Sequence, residues 1–325
     1  MKFSETIKKE LRTRFDMDLV GIAAASALRN EPEGHRPEDL LPGAKSILVF
    51  GRAFSDGAVQ AMFRGVEEHK GMTMGDYGSY CDELAPNFLL INDAFNISCW
   101  LEDSYRALAM PCPFNVLQSM VWDYAPGKYF ADPYGQGMPL NIYKAALAAG
   151  LGEFGWSNRF LTPEYGPRQM LAAVLTTLEI EPDEPYAGEK LCDPETCGVC
   201  AKVCPTHAIS EPCGGCSKTL AVEGKSQTVS DIKPNACAVA ALAYRGKYSG
   251  MMPGPDLVTS DDPTAEELKA AIAKKPISEI GIEHFPRWNC DRCVVYCPAG
   301  NWKAHFSDTG LSAFDPDSVK GEGRS

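Results

Sequence analysis

The chain has 325 residues, 45% of them hydrophobic, and a formal net charge of −12. That length can bury one large core or two moderate ones. The acidic balance argues against a nucleic-acid partner, because Lys and Arg contacts to phosphates dominate nucleic-acid affinity. The 13 cysteines, an odd number, do not fit a secreted disulfide framework, which usually has an even count in a short chain. We therefore expect reduced thiols that are kept for metal.

The segment from Met1 to Arg14 shows no export signal. It reads MKFSETIKKELRTR, which is charged and has no apolar h-region. No stretch approaches the roughly 18 uninterrupted apolar residues of a membrane span. The sequence therefore predicts a cytoplasmic protein without a membrane span.

The first half of the chain alternates predicted helices and strands. Apolar residues spaced four apart between Phe3 and Phe15 predict an amphipathic helix. The longest helical pattern runs from Pro86 to Met110, and the prolines after it end the helix. This alternation predicts a mixed α/β (α+β) layer architecture. Further predicted elements are a helix at Leu140–Ala149 and strands at Leu19–Ala24, Ile47–Phe50, Asn115–Trp122 and Gln169–Leu178.

The composition changes after Glu179. A polar, proline-marked linker from Glu181 to Lys190 leads into a cysteine-rich region, and Asp256 to Ala273 contains a further helical stretch. We expect an α/β domain over residues 1–186, a cysteine-rich domain over 187–310 and a frayed tail over 311–325.

Two cysteine groups carry the strongest functional signal. Bacterial two-cluster ferredoxins use the run C-x2-C-x2-C-x3-C-P, whose fourth cysteine ligates the other cluster. Both groups here end in C-x3-C-P. The first group is Cys192-x4-Cys197-x2-Cys200-x3-Cys204-Pro205, the second is Cys290-x2-Cys293-x3-Cys297-Pro298, and Cys237 lies alone between them.

The crossover rule divides these cysteines into two sets of four with none left over. Zinc ribbons also use Cys-x2-Cys pairs, but zinc does not require the C-x3-C-P element. The four-residue spacer after Cys192 departs from the usual two and makes this ligand the least typical. The predicted sets for two [4Fe–4S] clusters are Cys192, Cys197, Cys200 and Cys297, and Cys204, Cys237, Cys290 and Cys293.

With these residues in hand, the chain resembles the superfamily of epoxyqueuosine reductases and reductive dehalogenases. HRPEDLLPGAKSILVFG (His35 to Gly51) looks like the N-terminal landmark of that superfamily. The block from Lys144 to Pro185 is similar to its central block and closer to the dehalogenase version. The two cysteine groups follow in the same order.

The resemblance implies a fold and cofactors. It implies a nitroreductase-like domain that holds a cobalamin and the substrate, followed by a ferredoxin-like domain with two [4Fe–4S] clusters. Electrons would pass from a low-potential donor of the ferredoxin or flavodoxin type through the clusters to cobalt. The expected activity is reduction of a small molecule.

The same resemblance places an acid near residues 128–137, KYFADPYGQG. Asp132 and Tyr134 are the candidate proton donors, because reduction of a carbon or leaving group requires a positioned acid. Tyr143 is a further candidate. The alternative is that both upstream residues lie in an ordinary turn.

Gly150, Gly152 and Gly155 spell G-x-G-x-x-G, but the motif follows a predicted helix, which is the wrong context for a dinucleotide site. By resemblance these glycines border the corrinoid, and the plain alternative is a helix C-cap followed by a tight turn. Arg159 and Arg168 are candidates to hold a corrinoid phosphate or to polarise a substrate. Their alternative is an ordinary surface position.

The remaining thiols have simpler interpretations. Cys213 and Cys216 form a redox pair, a feature of the substrate site or, as the simplest interpretation, ordinary reduced loop thiols. His207 is a candidate for tuning a cluster by hydrogen bonding. Cys81, Cys99 and Cys112 are interpreted as bystanders.

Two other functions share this framework. One is reduction of epoxyqueuosine in tRNA, which the charge of −12 disfavours. The other is an electron-transfer or corrinoid-activating protein without its own substrate.

Overall fold

The structure, a computed structural model, describes residues 2–67, 88–112, 140–212, 216–222, 224–241, 244–248, 256–273 and 290–300. Its helices are α1 (Phe3–Arg14), α2 (Pro37–Leu40), α3 (Asp56–Glu67), α4 (Leu90–Tyr105), α5 (Ile142–Ala148), α6 (Val199–Lys202), α7 (Pro234–Ala241), α8 (Ala265–Ala273) and α9 (Arg292–Val295). Its strands are β1 (Leu19–Ala24), β2 (Ser46–Ala53), β3 (Ala109–Cys112), β4 (Glu153–Phe154), β5 (Phe160–Leu161), β6 (Gln169–Thr176), β7 (Ser217–Val222) and β8 (Lys225–Ser230).

The central sheet has four strands in the order β1-β2-β6-β3, and each neighbouring pair is antiparallel. Strand β6 lies between two strands that precede it by more than 50 residues. Its register pairs Val174 with Leu48 on one side and with Pro111 on the other. The central position of β6 explains why all eight of its residues are buried.

Both faces of the sheet are covered. Side chains of successive strand residues point to opposite faces, and alternate residues belong to two separate cores. Ile22, Leu48 and Phe50 face the core that includes α1 and α4. Ile47 and Val49 face the core that includes α5. The sheet is therefore the middle layer of a three-layer arrangement.

Residues of the cysteine-rich region contribute to both of these cores. Val199, Val294, Val295 and Tyr296 belong to the α1 and α4 side. Val222 and Val229 of the β7–β8 hairpin belong to the α5 side. The boundary between residues 186 and 187 stays a prediction, and the described residues beyond it pack directly on the sheet.

The mixed helix-and-sheet fold class is confirmed. The predicted strand at Leu19–Ala24 matches β1, and those at Ile47–Phe50 and Gln169–Leu178 lie within a few residues of β2 and β6. Helix α4 ends at Arg106, which is left-handed with φ 55°. The chain then forms β3, where the sequence predicts the end of a long helix. The predicted strand at Asn115–Trp122 and the tail over 311–325 lie outside the described residues.

The predicted amphipathic helix forms as α1, with Ile7 and Leu11 fully buried. The helix predicted between Asp256 and Ala273 forms as α8. Among the described segments, no helix combines the length and the apolar character that a bilayer crossing requires.

Candidate functional site

The two cysteine groups fold alike. Helices α6 and α9 each occupy one turn around a C-x3-C segment, and they contact each other. Gly198, in the left-handed conformation with φ 60°, precedes α6. A residue with a Cβ is disfavoured there, so this glycine permits the sharp entry into the helix. The contact between α6 and α9 brings the first and second cysteine groups together across about 90 residues of sequence.

The thiols predicted for one cluster lie within electrostatic range of Cys200. Burial raises the pKa of Cys200, and the thiols of Cys293, Cys297, Cys192 and Cys197 raise it further. Three of these four neighbours are its predicted partners. The fourth, Cys293, belongs to the other set, which shows that the two sets are adjacent.

The other set converges on Cys237. Cys237 is half-buried. Burial raises its pKa well above the ordinary value, and Cys290, Cys293 and Cys204 raise it further. Burial also raises the pKa of Cys290 to about 12. All three neighbours are its predicted partners. The assignment of ligands stays a prediction, but the structure brings together the residues that each set requires.

The described thiols are not gathered around the position of one metal ion. Within the described ranges, no group of three or more His, Cys, Asp or Glu side chains is placed to hold one metal ion. A four-iron cluster bonds each thiolate to a different iron, so its ligands stand further apart than those of one zinc ion. Metal binding requires cysteine ligands to be deprotonated, so loading a metal at these thiols would release protons.

Backbone amides donate hydrogen bonds to several of the sulfurs. Trp156 N lies 3.3 Å from Cys192 Sγ, and Ala208 N lies 3.2 Å from Cys204 Sγ. The backbone at Ala299 lowers the pKa of Cys297 against the larger effect of burial. Hydrogen bonds to cluster sulfurs tune reduction potential. Trp156 was not predicted from the sequence, because a backbone donor leaves no residue-type signal.

Arg159 lies in the turn of the β4–β5 hairpin and points into the cysteine-rich region. Its Nη2 is 2.6 Å from Asp291 Oδ1, and the Asp291 side chain is 9% exposed. Arg159 also lowers the pKa of Cys293, against burial, through its charge and a side-chain hydrogen bond. The structure thus places Arg159 at the second cysteine set, and its predicted corrinoid contact stays a prediction.

Arg168 has a set of backbone partners in the second cysteine group. This residue is 3% exposed. Its Nη1 donates to Cys297 O at 2.8 Å, and its Nη2 donates to Ala299 O. These contacts hold the loop after the last predicted ligand against the start of β6. Arg168 is therefore not a surface residue, and its predicted corrinoid contact stays a prediction.

The three glycines of the G-x-G-x-x-G motif approach the protein's own backbone. Gly150 follows α5 with φ 69°, and the hydrogen bonds from Gly150 N to Leu147 O and from Leu151 N to Ala146 O form a Schellman C-cap. A Cβ on Gly150 would overlap Glu184 O, and a Cβ on Gly152 would overlap Leu161 O. A side chain on Gly155 would press on that of Leu161. The C-cap interpretation accounts for this motif, and a dinucleotide site does not.

The candidate proton donors are only partly described. Asp132 and Tyr134 lie outside the described residues. Tyr143 lies on α5, where its ring stacks on Phe160 and meets Phe154 edge-on. This aromatic group orients Tyr143, and its catalytic role stays a prediction.

The remaining thiols and His207 fall into distinct environments. Cys99 and Cys216 are exposed, whereas Cys112 is buried, which raises its pKa to about 12. His207 has φ 51° and its N donates to Cys204 O at 3.2 Å. Cys81 and Cys213 lie outside the described residues, so the predicted choice between a redox pair and ordinary loop thiols stays open.

An antiparallel α+β core with two adjacent sets of partly buried cysteines is the arrangement in which the relatives of this chain can be compared. No family profile matches the chain. Relatives do match it in sequence. A tetrachloroethene reductive dehalogenase from Dehalobacter restrictus is 39% identical over 122 residues, which are 37% of this chain and 19% of the relative.

Epoxyqueuosine reductases match as well. The protein from Gloeobacter violaceus is 40% identical over 77 residues, which are 23% of this chain and 22% of the relative. The protein from Listeria monocytogenes is 38% identical over 159 residues, which are 49% of this chain and 29% of the relative. This sequence similarity to reductive dehalogenases and epoxyqueuosine reductases supports the superfamily that the motifs predicted.

The matched regions span less than a third of each of these relatives. Among solved structures, an epoxyqueuosine reductase overlaps 90% of this chain and 80% of its own with 16% identity and a TM-score of 0.46. A reductive dehalogenase described as B12-dependent overlaps 90% of this chain and 35% of its own, with 17% identity and a TM-score of 0.42. Overlap at this level carries no functional argument.

Proposed function

We propose that this protein is an iron–sulfur reductase of a small molecule that receives low-potential electrons through two [4Fe–4S] clusters and uses a cobalamin. The observation that carries the proposal is the convergence of Cys237 with Cys204, Cys290 and Cys293, beside a second set centred on Cys200. Sequence similarity to reductases in two branches of the superfamily supports the same reaction class.

The residues at the site supply binding and insulation for the clusters. Eight thiolates would hold two four-iron clusters, which accept and release one electron at a time. Trp156 packs with Ala201 and Ile209 against four of these cysteines and shields them from water. The N–H groups of Trp156 and Ala208 are already directed at sulfur, so they would donate to the ligands without rearrangement.

The cobalamin is proposed from the sequence resemblance alone. The glycines and arginines predicted to border it contact the protein itself in the described structure. A bound cobalamin would supply a reducing cobalt centre for the substrate. Asp132, Tyr134 or Tyr143 would hold the proton that the reduced product takes up.

Metal analysis of anaerobically purified protein tests the proposal. We expect about eight iron atoms per chain, as two four-iron clusters require, and binding of cob(II)alamin to the iron-loaded protein in an absorption titration. Protein that holds zinc in place of iron would contradict the cluster proposal. Iron-loaded protein that binds no corrinoid would contradict the cobalamin part and favour an electron-transfer role.

Reduction of epoxyqueuosine in tRNA is the second candidate. It is favoured by the 159-residue match to an epoxyqueuosine reductase, which covers 49% of this chain. The net charge of −12 opposes it, because a tRNA substrate requires a cationic surface. Queuosine and epoxyqueuosine measured in tRNA from a deletion strain distinguish the two functions, since only a tRNA reductase leaves epoxyqueuosine to accumulate when it is lost.

A further inference from the structure

Arg159 and Asp291 form an ion pair beside the second cysteine set, although 132 residues separate them in the chain. Arg159 Nη2 and Asp291 Oδ1 are 2.6 Å apart, and their side chains are 34% and 9% exposed. Asp291 follows Cys290 directly and precedes α9, which contains Cys293. Neither residue is required to ligate metal, so the pair has another role.

The hairpin that carries Arg159 is fixed at its turn. Gly155 N donates to Arg159 O at 2.8 Å, and the left-handed Asn158 donates from Nδ2 to Ser230 O at 2.6 Å. Ser230 N donates back to Trp156 O at 2.9 Å. The Arg159 side chain therefore extends from a rigid turn, and its charge has a defined position relative to the thiols.

Both charges lie beside the second cysteine set. The Arg159 guanidinium donates a side-chain hydrogen bond to Cys293. Asp291 lies between Cys290 and Cys293 in the chain, directly before α9. Arg292 is another cation near this set and acts on Cys290.

A fixed charge near a cluster changes its reduction potential, because the reduced cluster carries one more negative charge than the oxidised one. A positive charge stabilises the reduced form and a negative charge destabilises it, and the effect is large where solvent screening is weak. The Arg159–Asp291 pair, in which the carboxylate is the more buried partner, places both influences beside one cysteine set.

We propose that Arg159 raises, and Asp291 lowers, the reduction potential of the cluster ligated by Cys204, Cys237, Cys290 and Cys293, so that their ion pair sets this potential independently of the other cluster. This inference rests on the proposed two-cluster function. The cluster takes one electron from an external low-potential reductant and later releases it, and no covalent bond forms or breaks.

Potentiometric titration monitored by electron paramagnetic resonance tests the proposal on the iron-loaded protein. Arg159→Met should lower the potential of one cluster by at least the equivalent of a tenfold change in its reduction equilibrium, ~59 mV for one electron. Asp291→Asn should shift the same cluster in the opposite direction. The second cluster of each variant is an internal reference and should not move.

The control variants separate charge from folding. Arg159→Lys keeps the charge and should retain most of the potential. The double variant Arg159→Met with Asp291→Asn removes both charges without leaving Asp291 unpaired, and should lie between the single variants. Lys202→Met removes an exposed cation from the first cysteine group and should shift neither cluster.

Two results would overturn the inference. One is that Asp291→Asn and the double variant bind full iron but leave the reduction potentials of both clusters unchanged. This result would overturn the inference even if Arg159→Met does not fold. The other is that both single variants shift the potential in the same direction. Wild-type protein without eight irons would instead contradict the proposed function itself, so the two failures are distinguishable.

Discussion

Cys112 is a thiol of the hydrophobic core, in which burial outweighs the one backbone hydrogen bond, from Leu175, that favours its thiolate. It lies in the core on the α5 side and is fully buried. Burial raises its pKa to about 12 from an ordinary value of 9.0. Thiolates are the reactive form of cysteine, so this residue should be chemically silent in the folded protein.

We predict that iodoacetamide at pH 8 modifies Cys99 and leaves Cys112 intact. A pKa of about 12 gives Cys112 a thiolate fraction about a thousandfold below that of an ordinary thiol, and Cys99 is exposed. Peptide mass spectrometry of the iron-loaded protein measures both sites. Modification of the two cysteines at similar rates would show that β3 is open in solution, and unfolded protein provides the positive control.

The raised pKa of Cys112 also links folding to pH. Above pH 9 the unfolded chain loses this proton and the folded chain keeps it, so the folded state binds more protons and stability falls as pH rises. We expect the free energy of unfolding to decrease between pH 9 and pH 11, and the Cys112→Ala variant to show a smaller decrease. Denaturant unfolding at several pH values measures both slopes, and equal slopes would contradict the assignment.

Arg168 acts at the scale of a single side chain that holds a loop. Its guanidinium bonds the carbonyls of Cys297 and Ala299, and each hydrogen bond from a charged group contributes ~1.5–3 kcal/mol. Arg168→Met should therefore loosen the loop around Cys297 and lower iron retention, with a loss of up to half of the iron. Arg168→Lys keeps the charge but not the forked geometry. Its iron content should lie between those of the wild type and Arg168→Met. Iron per chain after gel filtration measures the effect, and unchanged iron in both variants would exclude this role.

At the scale of elements, the turn after α5 depends on one glycine. Gly150 has φ 69°, and a Cβ there would meet Glu184 O. Gly34 has φ 85°, but a Cβ on it would have no neighbouring atom within 4 Å. Gly34→Ala therefore incurs only the left-handed backbone cost, about 1 kcal/mol. Gly150→Ala adds a steric overlap with backbone.

We predict that Gly150→Ala destabilises the protein by about 3 kcal/mol and Gly34→Ala by about 1 kcal/mol. Denaturant unfolding of both variants measures the difference, and their equality would show that the segment around Glu184 moves away at little cost. The comparison isolates the steric overlap at Gly150, because both glycines have positive φ and therefore share the backbone cost.

The elements that the sequence predicted well are those with a local signal. Helix α1 follows from apolar residues four apart, and β1 and β6 follow from continuous apolar runs. Strand β3 was missed because its pairing with β6 joins residues more than 60 apart. The antiparallel sheet was equally hidden, since strands buried on both faces read as continuous apolar runs in either orientation.

The functional site likewise divides into residues with a local sequence signal and residues without one. Spacing alone predicted the two cysteine sets, which the structure brings together. The Arg159–Asp291 pair and the contacts of Arg168 were beyond reach, because no local pattern relates β4–β5 or β6 to residues 290–300. The backbone donors to sulfur are invisible in sequence for a further reason, since every residue except proline has the same N–H.

At the scale of the whole molecule, the crossover of ligands makes a prediction. The predicted assignment places Cys297 with the first group, near Cys192 and Cys197, and Cys237 with the second, near Cys290 and Cys293. Cys297→Ala and Cys237→Ala should each remove about four irons and eliminate different electron paramagnetic resonance signals. Cys112→Ala is the matched control and should keep all iron. Loss of the same signal in both variants would contradict the crossed assignment.

Tyr296, one residue before the last predicted ligand, is 2% exposed and packs in the same core as Leu48 and Phe50. Helix α9 also rests against α3. Oxidative loss of a cluster would therefore remove packing from one face of the sheet, and we expect the damaged chain to unfold cooperatively. Iron loading during synthesis and the stability of the folded protein are therefore linked through Tyr296 and its neighbours in the core.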